Sequence, residues 1–595
     1  MIMKRFIYKY TSIVLAVGFL NSCSPDLTET NPNYTDSSNY WNNLTETNKG
    51  LTSAYATLLS QFVLNMREEA VRSDMGWYST VRPTPFPTTD LGYTFWYQTY
   101  GNDNQFIERH WAACYRGTFR ANQVIEALEK IKASSDNEKW TQQMAEARFL
   151  RGLFHFYLHT SFNKGRIIID DHTPVTNEDF FRSTSSSDAV LAFFRADLKY
   201  AYDNLPPTRT PEELGRATKG AAATLLGTSY LYQEEYEAAK VYLNDVITNS
   251  AYKYSLVTDM SKLFTTAGEF NAESIFEINF DAKLRPDLGQ FDEEILTTRA
   301  AFLCFSQNLC VTPPAWVAYA YKTEPMDPKD SRNHLVPTNL TSPLRNVPLR
   351  ASAMITLPED LQTPVYLAPN VLEANPALPM GAVNATASIR IFGFYKKYTN
   401  HDLYTGEGAN PDGAQKSSKN ITLNRLAEVY LMQAECYAKT GNVQGALDLI
   451  NKVRARWGLV LYGTSGEYGS ARTYDGIAYT ADMVMNKLMY VDRPLELSLE
   501  GHALRFTDLR RWGIVKSNFE RLATDNYYAE DYKFVNSKGT TITKYRISVV
   551  KTPGTMPSSL VPNEFAIPAQ NFVEGVSEYL PIPSNEVARN PNLTK

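Results

Sequence analysis

The chain has 595 residues, of which 43% are hydrophobic and 21% charged, enough apolar material for a large buried core and for more than one packing unit. A formal net charge of −5 and a pI near 5.9 exclude the generally basic surface that attracts nucleic acid or anionic lipid. Its five cysteines, Cys23, Cys114, Cys304, Cys310 and Cys436, form neither a disulfide framework nor a paired CxxC metal site, although Cys304 and Cys310 could bridge a loop.

At the N-terminus Lys4, Arg5 and Lys9 precede the apolar run 13–20, and Leu20-Asn21-Ser22-Cys23 follows it. This is the layout of a bacterial secretory signal ending in a lipobox, with Ser22 as the small residue before the cut. The apolar run is too short to span a bilayer. Cys23 is then the expected lipidation site and first mature residue, with palmitate as one of its acyl groups, and the polar stretch up to Asn43 reads as a flexible tether. No later run is apolar and long enough to cross a membrane, so the expected mature form is a soluble body held by lipid.

Between residues 74 and 100 the chain has three prolines, little helical period and many rings, among them Trp77, Tyr78, Trp96 and Tyr100. Exposed rings in such a loop could stack on the C–H face of a sugar while polar groups take its hydroxyls, although most rings in a loop serve to pin it down. Helical runs follow over 111–131 and 141–159, where Cys114, His155 and His159 lie on apolar faces; Phe156 rules out an HExxH zinc motif and packing is the better reading. Gly227, Tyr230, Ala239 and Leu243 then recur 207 positions later as Ala434, Tyr437, Ala446 and Ile450. The later copy, 424–458, reads as two amphipathic helices folded back at Gly441 and Asn442, with small residues where the helices approach. That is a tetratricopeptide-like pattern, and since one helix pair cannot bury its apolar face alone, the other helical runs are its candidate neighbours. The stretch 311–380 holds twelve of the 31 prolines and must be largely irregular. Glu496, Glu500, Arg505, Asp508 and Arg511 fall on one predicted helix at spacings that allow charge pairs, a structural network rather than a catalytic set. There is neither a GxSxG nucleophile elbow nor a phosphate loop.

Several segments together resemble one family. Glu146-Ala147-Arg148-Phe149-Leu150-Arg151, then Arg425-Leu426-Ala427-Glu428-Val429-Tyr430, then Arg493-Pro494-Leu495-Glu496-Leu497 through Glu500-Gly501 and Arg511-Trp512-Gly513, and the ending Tyr579-Leu580-Pro581-Ile582-Pro583, are similar to signatures of the SusD/RagB outer-membrane lipoproteins of Bacteroidetes. Asp492, where the family tends to glutamate, and His502 are small departures.

The resemblance implies a mainly α fold, with TPR-like helical hairpins forming a right-handed superhelical scaffold and a loop-rich second subdomain carrying the ligand site. The corresponding division is a signal peptide at 1–22, a lipidated tether at 23–43, a helical N-terminal region at 44–250, a loop-rich insert at 251–420 and a C-terminal region at 421–595. It also implies a surface-exposed, non-catalytic lipoprotein on the outer membrane that needs no cofactor or metal, captures a glycan and passes it to a SusC-like TonB-dependent transporter. A RagB-like peptide binder, a tethered glycoside hydrolase and a pure adaptor are the alternatives. The family's sugar contacts point here to Asp74, Trp77 and Tyr78 and to Phe302, Cys304 and Phe305. Trp96 and Tyr100 are added for ring exposure, and Arg390 and Tyr395 because that segment supplies donors ahead of the main repeat.

Overall fold

The computed structural model describes residues 40–78, 91–281, 311–374, 382, 384–386, 391–412 and 416–594. Cys23, Phe302, Cys304, Phe305, Cys310 and Arg390 lie outside them, and Tyr78 is described in its backbone only. The principal helices in chain order are α1 (Leu44–Ala56), α2 (Met66–Arg72), α3 (Leu91–Tyr97), α4 (Gln105–Ile131), α5 (Asn137–Ser161), α6 (Ser187–Asn204), α7 (Lys219–Leu231) and α8 (Tyr236–Thr248). They continue with α9 (Ala315–Lys322), α10 (Leu426–Lys439), α11 (Val443–Arg456), α12 (Arg493–Leu497), α13 (Leu504–Arg511) and α14 (Val515–Thr524).

Helices α4 and α5 begin earlier than apolar periodicity alone suggests, because polar caps start them. Asn104 accepts a hydrogen bond from the Phe106 N–H at 2.9 Å, and Asp136 accepts one from the Lys139 N–H at 2.9 Å. Both expected hairpins form. In α10–α11, Gly441 takes a left-handed φ of 86° and Asn442 accepts from the Gly445 N–H at 3.0 Å. In α7–α8, Gly227 lets the helices approach closely, since a Cβ there would lie 2.6 Å from Leu243 Cδ2. From α4 to α8 each helix packs on the next, and α8 then packs on α10, so two hairpins 207 residues apart in sequence are neighbours in space. Thr228 on α7 reaches the Met432 sulfur on α10 at 3.4 Å.

Stacking gives one continuous apolar core that runs from Leu51 to Leu580. Short strands tie the irregular segments to it: β1 (Trp77–Tyr78) pairs with β3 (Val311–Thr312), β2 (Ser274–Ile278) with β6 (Ile421–Arg425), and β4 (Ile355–Thr356) with β5 (Phe394–Tyr395), all antiparallel. A three-stranded sheet of β7 (Tyr528–Val535), β8 (Thr541–Val550) and β9 (Ser558–Leu560) covers a satellite cluster that includes Tyr366, Leu372, Phe534 and Ile547. No described helix is long and apolar enough to cross a membrane.

The single helix expected to carry Glu496, Glu500, Arg505, Asp508 and Arg511 is broken in two. Helix α12 ends at Leu497, and Leu499, Gly501 and Ala503 all adopt left-handed φ of 58°, 65° and 49° before α13 begins at Leu504. The charge pairs expected one turn apart therefore find most of their partners on other elements.

Candidate functional site

Among the described residues, five of the side chains expected to touch ligand lie on segments that are fastened to one another. The β1–β3 pairing sets Trp77 opposite Thr312 and Tyr78 opposite Val311. The Tyr395 hydroxyl donates to the Met75 carbonyl at 2.6 Å, which brings the β5 segment to the same place. The stems of three segments singled out from the sequence, at 74–78, 311–312 and 391–395, are thus fastened together.

The side chains themselves face inward. Asp74 is fully buried and accepts two 2.7 Å hydrogen bonds from Arg505 and one of 2.8 Å from Asn518, while its carbonyl takes the Trp316 indole N–H at 2.7 Å. Burial works to raise the Asp74 pKa, but the Arg505 charge and these bonds outweigh it and hold the carboxyl below its usual range. Trp77 is 1% exposed and Trp96 2%, their rings meeting edge to face at 4.9 Å. The exposure expected of Trp96 is not found, because α3 turns that ring under β1. Tyr100 is partly buried, with its hydroxyl donating to the Ser577 carbonyl at 2.7 Å and accepting from Arg72 at 2.8 Å. Tyr395 is wholly buried. These residues form a rigid footing.

Beneath that footing lies the charged interior. Arg425 bridges Glu273, Glu496 and Glu500 at 2.7 Å each, Arg456 pairs with Glu273 at 2.5 Å and also with Glu496, and Trp457 donates its indole N–H to Glu496 at 2.7 Å. Arg350 reaches Glu496 at 3.4 Å and pairs with Glu324, and Lys397 pairs with Glu500. Arg511 joins Glu435 at 2.5 Å to Asp508 at 2.8 Å, and Arg493 holds Asp508 at 2.7 Å. Burial acts first to raise the Glu496 pKa, yet the three guanidinium groups pull it down to about 2. A carboxylate so held cannot carry a proton at neutral pH, so it is no general acid. Glu428 is the opposite case: burial raises it to about 7, but it is 3% exposed and sealed in the core beside Asn424. His155 and His159 do not meet at a metal; His155 Nδ1 lies 2.9 Å from the Arg151 carbonyl, and His159 Nε2 lies 2.9 Å from the Ser187 hydroxyl. Among the described residues no group of three or more His, Cys, Asp and Glu could hold a metal ion. Cys114 and Cys436 are buried free thiols, the latter pushed up to about 12 by burial, hence unreactive.

The sequence reading missed Arg505, Asn518 and Trp316 as the partners of Asp74. No local signal could have found them: Arg505 stands 431 positions away.

Comparison with known proteins covers both halves of the chain. A family model described as "Starch-binding associating with outer membrane" matches residues 34–231, and one described as "SusD family" matches 372–595. SusD-like protein P25 of Formosa agariphila is 24% identical over 408 residues, which is 68% of this chain and 70% of that protein. A crystal structure of a SusD superfamily protein from Bacteroides vulgatus superposes with a TM-score of 0.66 at 22% identity, covering 93% of this chain and 98% of that one. A laminarin-binding SusD-like protein (TM-score 0.58, 21% identity) and a structure solved with a xylogluco-oligosaccharide (0.59, 20%) each cover 92% of this chain and 98% of their own. At these identities the structural matches establish the helical fold.

Proposed function

The chain belongs to the SusD/RagB family, and from that premise we propose that it is a surface-exposed lipoprotein that binds an oligosaccharide or polysaccharide and passes it to a SusC-like TonB-dependent transporter. The observation that carries this reading is the pair of family matches, one associated with starch binding at the outer membrane, on a chain whose fold is shared with laminarin- and xyloglucan-binding neighbours. The N-terminal pattern ending at Cys23 supports anchoring by lipid. The protein's part is capture: the buried, ion-paired carboxylates described above hold the fold, and the energy for import comes from the transporter's side. On this reading the ligand is taken near the junction of 74–78, 311–312 and 391–395, with the buried Asp74, Trp77, Trp96 and Tyr395 as positioning residues.

Affinity electrophoresis against a panel of neutral polysaccharides that includes laminarin and xyloglucan tests this. Retardation by at least one polymer is expected, without release of reducing sugar from it. Free migration through the whole panel, or hydrolysis of the retained polymer, would overturn the reading.

A further inference from the structure

A second surface has the character of a ligand site and shares no residue with the footing above. A cavity of about 410 Å³ opens between the α6–α7 connection, the turn after α8 and strand β2. That is within the roughly 300–1,000 Å³ of pockets that hold small ligands. A recess of about 260 Å³ beside Tyr55 and Leu58 adjoins it, sharing Leu214, Gly215, Arg216 and Glu277 in its lining. Together they make a trough open to solvent along one flank of β2.

Its apolar faces are partly exposed rings on rigid supports. Tyr254 stacks on buried Tyr252 with centroids 5.6 Å apart, and Tyr252 in turn donates to Asp245 at 2.5 Å. Tyr254 also lies against bare backbone, since a Cβ on Gly220 would come 2.5 Å from its hydroxyl. Phe270 sits opposite with a left-handed φ of 51°, a strained setting for a side chain of this size. What holds it there is Glu277, buried to 3%, whose two carboxylate oxygens both accept the Phe270 N–H at 3.1 Å. Lys253 on the same wall is left-handed as well, at 59°.

The charges around the trough cancel. Arg209 and Arg216 share Glu146 at 3.2 and 3.1 Å, and Arg209 Nη1 lies 3.7 Å from Glu213. The lining holds three cations, Arg209, Arg216 and Lys253, and one carboxylate, Glu277, and the ion-paired Glu146 and Glu213 outside it bring the balance to three against three. A phosphate, sulfate or uronate gains no net attraction here. Arg216 and Lys253 still offer donors at the rim, and Arg209, 2% exposed on its side chain, keeps Nη1 in the wall without a hydrogen-bond acceptor. Ring faces beside neutralised donors suit a hydroxyl-rich, uncharged molecule.

We propose that this trough is a second carbohydrate subsite that takes an uncharged oligosaccharide by stacking on Tyr254 and Phe270. The proposal rests on the glycan-binding reading and adds a place and a charge class to it. The trough holds one part of a polymer while the junction near β1 and β3 takes another, so a long chain gains from both contacts.

The full-length mature protein is first matched to a polymer by affinity electrophoresis, with laminarin and xyloglucan in the panel, and an oligosaccharide cut from the retained polymer is then the probe. Hydrogen exchange of the wild-type protein is expected to slow at 252–254 and 268–272 when this probe is added. Phe270→Ala is expected to weaken binding roughly tenfold and Phe270→Tyr to stay within about twofold, both folded by thermal midpoint. Affinity at about 0.5 M salt should match that at low salt, because no ion pair is formed. If no polymer is retained, the parent reading fails and this one with it. If a polymer is retained but exchange in the trough is unchanged, or Phe270→Ala binds as wild type, the trough is overturned alone.

Discussion

Trp77 shows how burial changes what a ring can do. From the sequence it is a candidate sugar platform in a proline-rich segment; in the fold it is 1% exposed, paired through β1 with Thr312 and packed on Trp96. Removing it opens a large cavity at the junction of two irregular segments, so Trp77→Ala is expected to destabilise the protein by about 3–5 kcal/mol. Urea denaturation followed by circular dichroism measures this, and an unchanged midpoint together with lost glycan affinity would return Trp77 to the contact list. Asp74 was equally legible as important and illegible in role. Its two hydrogen bonds from Arg505 satisfy a buried charge, and nothing within the DMGWY segment announces a partner more than 400 positions downstream. Charge pairs in a buried network are chosen by three-dimensional proximity, which spacing along one predicted helix cannot reveal. That is also why Glu496 and Glu500 pair with Arg425 on another element, while Asp508 does keep the partner one turn away, Arg511, that the spacing allowed.

At the scale of elements the record is better, because hairpins are local. Gly441 and Asn442 turn the chain where the pattern said they would, and the constant offset of 207 residues marks two hairpins that touch through α8 and α10. The three-stranded sheet β7–β8–β9 and the break between α12 and α13 were not predicted, the first because its two long strands do not alternate buried and exposed residues, the second because only Gly501 of its three left-handed residues is a glycine and Glu496 to Arg511 otherwise keep helical spacing. The matched small positions give a direct test of the repeat reading. Alanine in a helix interior is normally favoured over glycine by about 0.5–1 kcal/mol. At Gly227 the new Cβ would fall 2.6 Å from Leu243 Cδ2, and Leu243 is itself buried with no room to retreat. Overpacking should win, so Gly227→Ala is expected to lose about 1–3 kcal/mol. Adding Leu243→Ala should then cost less than it does in the wild-type background, a positive coupling that a double-mutant cycle would measure. Additive losses would mean that the two helices do not meet as closely as described.

For the whole molecule, acid is the informative perturbation, because its buried charges and its buried histidines fail in different windows. His110, His155, His159, His401 and His502 are all held below the ordinary imidazole range, chiefly by burial, with His155, His159 and His502 at about 4. Only His172 and His334 are raised, the first by its bond to Asp171 and the second by bonds to the Pro328 and Ser342 carbonyls, so the depressed group dominates. A histidine whose folded pKa lies below its unfolded value takes up a proton on unfolding. Stability is therefore complete above about pH 6.5 and declines as pH falls toward 4, by about 1.4 kcal/mol per pH unit for each such proton. Four ion-paired carboxylates follow the same sign lower down, whereas Glu428, raised to about 7 by burial, has the opposite sign and offsets one proton of the histidine slope. Asp74, Glu496, Glu500 and Asp508 are all depressed, Glu496 to about 2, so their contribution is present above about pH 4.5 and is lost as pH drops below it. Lys396 and Lys397, lowered to about 8 by burial, titrate above this range, so urea midpoints measured from about pH 7 downward should change little to about 6.5, slope through the histidine window and steepen below about 4.5. Replacing His155, which bonds only the Arg151 carbonyl and the Asp170 N–H, by glutamine should flatten the upper slope while leaving the lower one in place. A midpoint that holds steady from about pH 7 to 5 would mean that these imidazoles titrate inside the fold as they do in the unfolded chain, and that burial does not hold them neutral.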